Sequence, residues 1–362
     1  MILKKKTNVV LSKKGIISTT QLNVPGKAIK LLGVNEENKN IDLKFENEKI
    51  IVTVKKDGKN CFISQKIGNS QLYRLTISKE VAEKIGITKE NNEVILDFTK
   101  DRLIISKEEN EKEIDTRIIS IINFKGGVGK TTTSHSLGAG LSSKGKKILL
   151  IDMDPQASLT FMTFDEVPKL TVKDIIVDGK DINKAITKTE EFDIIPSNLI
   201  LNLAERQLHS KFGAEKLLKK ALEKITEKYH YIIIDCPPAM NLFTVNALYA
   251  SDGVIIPCET ELLALDGLNL LIQTLEQTEE ELDIKIKNTV VLPTKLDMRK
   301  KLSKEIAEHL KENFNTTNTL IRTSSKLNLL GLNKKSIYAI DSSSTASKDY
   351  MDLVEEVMEW NF

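Results

Sequence analysis

The sequence predicts an α/β chain: a doubly wound, mostly parallel sheet with a P-loop, preceded by a small β-rich domain made of two repeats. Three observations carry this prediction. After residue 117, apolar strand-like runs alternate with amphipathic helical stretches, the pattern of a parallel sheet with right-handed crossovers. The first of those runs leads directly into a glycine-rich loop and a helix, the arrangement that presents backbone N–H groups to anionic oxygens. Before residue 107 the chain resembles itself at an offset of 53 residues, the signature of a duplicated module.

The elements follow in order. Residues 1–35 hold seven lysines and no acid, and residues 1–110 carry a net charge of +7 against −5 for the remainder. Such a basic end suits a nucleic-acid backbone, although a solvated lysine-rich surface also accounts for it. The 53-residue offset aligns Gln21–Val52 with Arg74–Ile105 without a gap. Leu22 falls on Leu75, Gly33 on Gly86, Leu43 on Leu96, Phe45 on Phe98 and Ile51 on Ile104. Each unit reads as a short strand, a helix of one to two turns ending at glycine, and a β-hairpin of alternating residues. The repeats span about 13–56 and 66–107, residues 108–116 form a polar, charged linker, and 117–362 form the second domain.

Leu22-Asn23-Val24-Pro25 with Leu32-Gly33-Val34, and Leu75-Thr76-Ile77-Ser78 with Ile85-Gly86-Ile87, resemble the AbrB/MazE-like swapped-hairpin fold. That resemblance implies two interleaved copies forming one DNA-binding barrel, which tandem, swapped-hairpin-like repeats can complete either within one chain or between two. Lys13, Lys14, Lys27 and Lys30 are then the candidates for phosphate contact, because they flank the first unit's loop and helix. The second unit has Glu80 and Glu83 where the first has Lys27 and Lys30, which suits a structural partner better than a reader. A β-rich dimerisation domain without a DNA role is the other reading of this half.

The second domain opens with the strand Ile118–Phe124, followed by KGGVGKTTT, Lys125–Thr133. In such a loop Lys130 reaches the β- and γ-phosphates and the Thr131 hydroxyl ligates Mg²⁺, while the loop from Lys125 through Gly126, Gly127, Val128, Gly129 and Thr132 wraps the phosphates. The general pattern wants glycine at 124, where this chain has Phe124. With Lys125, that departure resembles the deviant Walker A motif of the ParA/MinD superfamily, and the resemblance implies that Lys125 reaches the nucleotide of a second subunit. Strand Lys147–Asp152 ends in IDMDPQASLT, placing Asp152 and Asp154 at the sheet edge where α/β folds bind ligands. Asp154 is expected to polarise the attacking water and Asp152 to support the Mg²⁺ shell, with Pro155 and Gln156 forming a switch. In YIIIDCPPA, Asp235 follows four apolar residues and suits the second-shell Mg²⁺ carboxylate of a Walker B strand.

Strands Gly253–Pro257, Asn288–Pro293 and Thr319–Ile321 follow, separated by helices such as Glu215–Tyr229, Leu265–Leu282 and Lys300–Phe314. DMDPQAS, IIIDCPP, VIIPCETELLALDGL and PTKLDMR resemble ParA-type partition ATPases, over about 245 residues. The resemblance implies that Thr294 and Lys295 lie against the adenine, and that Arg299, Lys326 and Lys335 contact DNA without sequence preference. It further implies ATP and Mg²⁺ as cofactors, a homodimer with ATP sandwiched between subunits, a ParB-like centromere-binding partner and a cytoplasmic, nucleoid-associated protein. The stretch IRTSSKLNLLGLNKK is poorer in arginine and proline than is usual in that family, so DNA contact there is expected to be weaker or carried by another face.

Other classes are disfavoured. Three scattered cysteines argue against a disulfide framework, no apolar run approaches the ~18 residues of a membrane span, and MILKKKTNVV lacks the apolar core of a signal peptide. The four histidines have no metal-like spacing. The last helix, Lys348–Asn361, is acidic and would be repelled by anionic lipid; its apolar positions, Met351, Leu353, Val354, Val357 and Trp360, are expected to pack on the sheet. The expected function is an ATP-dependent DNA segregation ATPase, slow alone and stimulated by its partner, whose N-terminal domain represses its own operon. An ATP-switched transcriptional regulator and a nucleoid-borne cargo-positioning ATPase are the alternatives.

Overall fold

The computed structural model describes residues 3–11, 19–25, 29, 32, 34, 40–46, 49–55, 60–67, 70–84, 93–98, 102–107, 115–209 and 211–360. The chain divides into two compact units, Met1–Glu113 and Ile114–Phe362.

The first unit is an antiparallel sheet of nine strands: β1 (Leu3–Leu11), β2 (Thr19–Pro25), β3 (Asn40–Glu46), β4 (Lys49–Val54), β5 (Asn60–Cys61), β6 (Ile63–Ile67), β7 (Ser70–Ser78), β8 (Glu93–Phe98) and β9 (Arg102–Lys107). Their spatial order is β5-β3-β4-β9-β8-β1-β2-β7-β6. Both expected hairpins are present, with Ile41 opposite Val54 and Val94 opposite Lys107.

The register shows how the duplication folds. Ladder β2–β7 sets Leu22 opposite Leu75, and ladder β4–β9 sets Ile51 opposite Ile104. Each is a residue facing its own counterpart 53 positions on, so one pseudo-two-fold relation runs through both ladders. The strand ahead of each repeat crosses to the other repeat's hairpin: β1 pairs β8 with Leu3 opposite Phe98, and β5 pairs β3 with Cys61 opposite Asn40. The repeats therefore interlace within one chain. Alternate residues Leu22, Val24, Ile50, Val52, Leu75, Ile77, Val94, Leu96, Leu103 and Ile105 share one core, as a period-two pattern dictates. Lys13, Lys14, Lys27, Lys30, Gly33 and Gly86 lie outside the described residues, as does 108–114 of the linker.

The second unit holds β10 (Arg117–Ile121), β11 (Ile148–Asp152), β12 (Thr187–Lys188), β13 (Asp193–Ile195), β14 (Tyr231–Asp235), β15 (Gly253–Glu259) and β16 (Asn288–Thr294). The order is β12-β13-β11-β14-β10-β15-β16, and every pair is parallel except β12–β13. Strands β11, β14 and β15 are buried along their whole length, because helices cover both faces and leave no side for water. The chain runs from β10 past the place of β14 to β11, returns to β14, and then crosses β10 to β15 on its other side. The crevice at the C-terminal ends of these strands is the binding position of such sheets.

The helix after the glycine-rich loop, Lys130–Ser143, packs on the C-terminal helix Thr345–Glu359. A Cβ on Gly140 would stand 2.5 Å from both Tyr338 Oη and Val354 Cγ2, so only glycine allows this approach. Leu353, Val354 and Val357 of the last helix are fully buried, with Met351 and Trp360 packed beside them. Among the described residues no helix is long and apolar enough to cross a membrane.

Two expectations are corrected, and two strands are added to those expected. Residues 319–321 form no ladder strand, only single parallel bridges pairing Val291 with Thr316 and Leu296 with Arg322. Glu356 accepts the backbone N–H groups of Asn318 and Thr319, at 2.8 and 2.9 Å, and so takes donors that a ladder needs. The helix expected over Glu215–Tyr229 is a 3₁₀ turn, Ala214–Lys216, with a helix of Leu217–Leu222 only. Beyond it Thr226 donates its N–H and hydroxyl to Asn183 Oδ1, drawing the chain away from the helical path. Finally, β12 and β13 were too short, at two and three residues, for a period to show in the sequence.

Candidate functional site

The loop between β10 and Lys130 carries Gly127 at φ +78° and Gly129 at φ +99°, left-handed conformations that favour glycine. No protein atom lies within 4 Å of where a Cβ on Gly126, Gly127 or Gly129 would stand, so the cradle opens on a ligand-sized space. Lys130 is 6% exposed and its Nζ donates to the Lys125 carbonyl at 3.2 Å. Burial lowers its pKa below the ordinary lysine value, and the charges of Asp235 and Asp154 oppose that shift. A lysine held this way is a pre-desolvated cation aimed into the cradle.

The parallel register does for the carboxylates what spacing in the sequence cannot. Asp152 and Asp235 end adjacent strands directly opposite each other, and both are fully buried. Asp152 is committed to the fold: Oδ1 accepts the Asp154 N–H at 3.1 Å, and Oδ2 accepts the Thr160 N–H and hydroxyl at 2.9 and 2.7 Å. Asp235 Oδ1 accepts the Ser134 hydroxyl at 2.9 Å, whereas its Oδ2 has no hydrogen-bond partner. Burial raises both carboxyls, the neighbouring negative charge raising Asp152 further, and Asp235 is pushed up to about 7 against hydrogen bonding from Thr131 and Ser134. Two facing carboxylates with one orphaned oxygen, beside a hydroxyl, form a donor set that fits a hard divalent cation completed by phosphate and water. Asp154, 8% exposed, lies at the mouth of the crevice, where its Oδ1 accepts the Gln156 N–H at 2.8 Å. Ala157, which closes that turn, has φ +55°, a strained backbone of the kind stored at functional sites.

Lys125 does not stand free. It forms an ion pair with Glu259 at the end of β15 and lies 3.4 Å from Glu261, and the other Glu259 oxygen pairs with Lys295. The bond to Glu259 raises the Lys125 pKa above its ordinary value. Lys295 itself adopts φ +53°. Thr294 donates its hydroxyl to the Val128 carbonyl at 2.9 Å, tying β16 to the loop. Together Gly127–Gly129, Thr132, Thr294 and Lys295 line a cavity of about 420 Å³, whose far wall is Ile321–Ser325 with Leu327, Asn328 and Tyr350.

The structure thus brings Lys130 of the loop close to Asp154 and Asp235, which faces Asp152, and places Thr294 and Lys295 on the cavity that Gly127–Gly129 and Thr132 line. Arg299 is exposed and chelated by Asp297 at 3.0 and 3.1 Å. Lys326 lies 3.6 Å from Asp341, and Lys335 is exposed. His135, buried edge-on against Phe192, is pushed down to about 4 by burial. Among the described residues no group of three or more His, Cys, Asp or Glu side chains could hold a metal. Sequence reasoning missed Ser134, Thr160, Glu259 and the 321–328 wall. Ser134 was within reach, one helical turn after Lys130; Thr160 carries no local signal.

A family model for an AAA domain matches residues 116–288. Sporulation initiation inhibitor protein Soj of Bacillus subtilis is 40% identical over 247 residues, covering 67% of this chain and 98% of that protein. The structure of a plasmid partition protein from Borrelia burgdorferi bound to AMPPNP is similar at a TM-score of 0.59 and 29% identity, covering 68% of this chain and 99% of that one. Cobyrinic acid a,c-diamide synthase from Mycobacterium smegmatis, with a bound ATP analogue and magnesium, is similar at a TM-score of 0.58 and 28% identity, covering 67% and 94% of the two chains.

Proposed function

The chain belongs to the Soj/ParA family of partition ATPases, and from that premise we propose that it hydrolyses ATP with Mg²⁺ to segregate DNA in the cytoplasm, on the nucleoid. The observation that carries this reading is the convergence of Lys130, the glycine cradle and the Asp152–Asp235 pair on one crevice. Lys130 neutralises charge on the β- and γ-phosphates, and the loop N–H groups hold their oxygens in place. Thr131 and Asp235 would hold magnesium, with Asp152 supporting its shell through water, and the bound ion would supply charge neutralisation of the phosphate oxygens. Asp154 orients the attacking water. The base lies toward Thr294, Lys295 and the 321–328 wall.

Dimerisation follows from Lys125. Its clasp on Glu259 is an arrangement of a single chain; in the ATP-bound pair Lys125 leaves Glu259 for the partner's phosphates. Arg299, Lys326 and Lys335 then give the dimer a DNA-binding face that reads no sequence, with the Arg299–Asp297 chelate opening as phosphate replaces carboxylate. A ParB-like protein bound at a centromere stimulates turnover, since Arg322, which lines the cavity, is committed to Asp349. ATP-dependent DNA binding is the test. With Mg²⁺–ATP the protein is expected to sediment with non-specific duplex DNA, falling off steeply with salt, and with ADP it is expected to stay in solution. Equal binding with ADP and ATP would rule out the nucleotide switch.

The N-terminal unit is proposed as an AbrB-like operator-binding module. Its support is the pseudo-two-fold register at Leu22/Leu75 and Ile51/Ile104 together with the basic sequence ahead of Glu36. Lys13, Lys14, Lys27 and Lys30 are the proposed phosphate contacts, and the module represses the chain's own operon. Footprinting the full chain on DNA upstream of its gene is expected to show one protected site that survives Lys130→Ala. Absence of protection even at low salt would remove the repressor role and leave partition intact.

A further inference from the structure

Two consecutive residues of the helix Thr345–Glu359 reach two different walls of the cavity. Asp349 is 4% exposed and takes four hydrogen bonds from one residue, Arg322. The backbone N–H donates to Oδ2 at 2.9 Å, Nε to both oxygens at 3.1 Å, and an Nη2 proton to Oδ1 at 2.5 Å. Its neighbour Tyr350 is fully buried, lines the cavity and places its hydroxyl 3.2 Å from Thr133 Oγ1 on the phosphate-loop helix. Neighbouring helical residues point about 100° apart, so this one turn braces both the far wall and the cradle.

Arg322 stands at a partition. It lines the 420 Å³ cavity and also a shallower one of about 370 Å³ on its other side, which Asp349 and Asp352 line as well. The backbone here is anchored to the sheet edge by Ile321 N–H to the Pro293 carbonyl at 2.9 Å, Leu296 N–H to the Ile321 carbonyl at 3.1 Å and Thr323 N–H to the Leu296 carbonyl at 3.0 Å, with the Thr323 hydroxyl on the Lys295 carbonyl at 2.9 Å. Past Thr323 the wall runs on with the short 3₁₀ turn Ser325–Leu329 as its regular structure. The Asp349 carboxylate adds to these backbone bonds a charged clamp on the Arg322 side chain and N–H, and bidentate guanidinium–carboxylate pairs fix both position and orientation. Asp349 is buried while Arg322 is partly exposed, so removing the guanidinium leaves an uncompensated buried carboxylate, and the wall at Arg322 shifts to relieve it.

We propose that Asp349 is a positioning residue for the base end of the nucleotide cavity, acting through Arg322 to hold the Ile321–Asn328 wall against the purine without touching the phosphates. This rests on the reading of the cavity as an ATP site. The probes are Mg²⁺–ATP and Mg²⁺–tripolyphosphate, titrated calorimetrically into the full chain and into Asp349→Asn, Arg322→Gln and the double variant. Asp349→Asn keeps the shape and removes the charge. It is expected to weaken ATP about tenfold and to leave tripolyphosphate within about twofold, raising KM while kcat at saturation holds. Arg322→Gln is expected to match that loss, and the double variant to lose no more than either alone, because one clamp is broken in all three. Should Asp349→Asn fail to fold, Arg322→Gln carries the same comparison of probes. Wild-type affinity for ATP in either single variant overturns the proposal, as does an equal loss of tripolyphosphate. Failure of the unaltered chain to bind ATP would instead overturn the ATP reading itself.

Discussion

Lys130→Ala is expected to abolish nucleotide binding and, with it, ATP turnover. Lys130 is buried at the mouth of the helix Lys130–Ser143, its Nζ 3.2 Å from the Lys125 carbonyl. The energy of desolvating that ammonium is already spent on folding, so its charge acts on the β- and γ-phosphates at low local dielectric, where a pre-placed cation is worth most. Removing it takes away that interaction and leaves Asp154 and Asp235 as uncompensated negative charge facing an anionic substrate. We expect a loss of at least about 10²–10³ in kcat/KM. Lys130→Arg is not expected to rescue, since a planar guanidinium does not replace a point charge in a closed cradle. Equilibrium binding of a fluorescent ATP analogue, with circular dichroism to confirm folding, decides the matter. Hydrolysis at the normal rate in Lys130→Ala would show that the site lies elsewhere.

Asp154→Asn is expected to separate binding from chemistry. The Asp154 Oδ1 accepts the Gln156 N–H, and an asparagine carbonyl oxygen can keep that bond, so the turn carrying Pro155, Gln156 and the strained Ala157 is preserved. What is lost is the negative charge that orients and polarises water. The expected result is a kcat lower by about 10²–10⁴, the range of a positioned acid–base group, with ATP affinity within a few-fold of the unaltered chain. Single-turnover hydrolysis and nucleotide retention on a filter measure the two quantities separately. The variant should accumulate as an ATP-bound dimer that stays on DNA. If ATP binding falls as far as hydrolysis does, Asp154 belongs to the binding set and not to the chemistry.

The legible and illegible parts of this molecule differ in kind. The phosphate loop was readable because its function needs consecutive residues: glycines at left-handed φ and a lysine at the helix start. Asp235 was readable because four apolar residues end at it, which marks the C-terminal end of a buried strand, where such sheets bind ligands. The duplication was readable as a constant offset, but which residue faces its own counterpart, Leu22 against Leu75 and Ile51 against Ile104, was decided by the packing of the two repeats. The interruptions were less visible. The helix ends at Leu222 because Asn183, some forty residues earlier in the chain, competes for the backbone and side chain of Thr226. Residues 319–321 form no ladder: Glu356 on the last helix takes the N–H groups of Asn318 and Thr319, leaving Ile321 to bond the Pro293 carbonyl singly. Propensity cannot anticipate a competitor that arrives from another element.

The sequence by itself determined the layer architecture, the cradle and the identity of its charged residues, because each is written in spacing of a few positions. The tertiary structure alone decided that Asp152 serves the fold while Asp235 keeps an orphaned oxygen, that Glu259 clasps both Lys125 and Lys295, and that Asp349 restrains the wall at Arg322. The physical reason is that these pairings depend on strand order and helix docking. The order β11-β14-β10-β15-β16 sets residues more than a hundred positions apart side by side, and the energetics of a buried charge depend on what stands beside it, not on what precedes it in the chain.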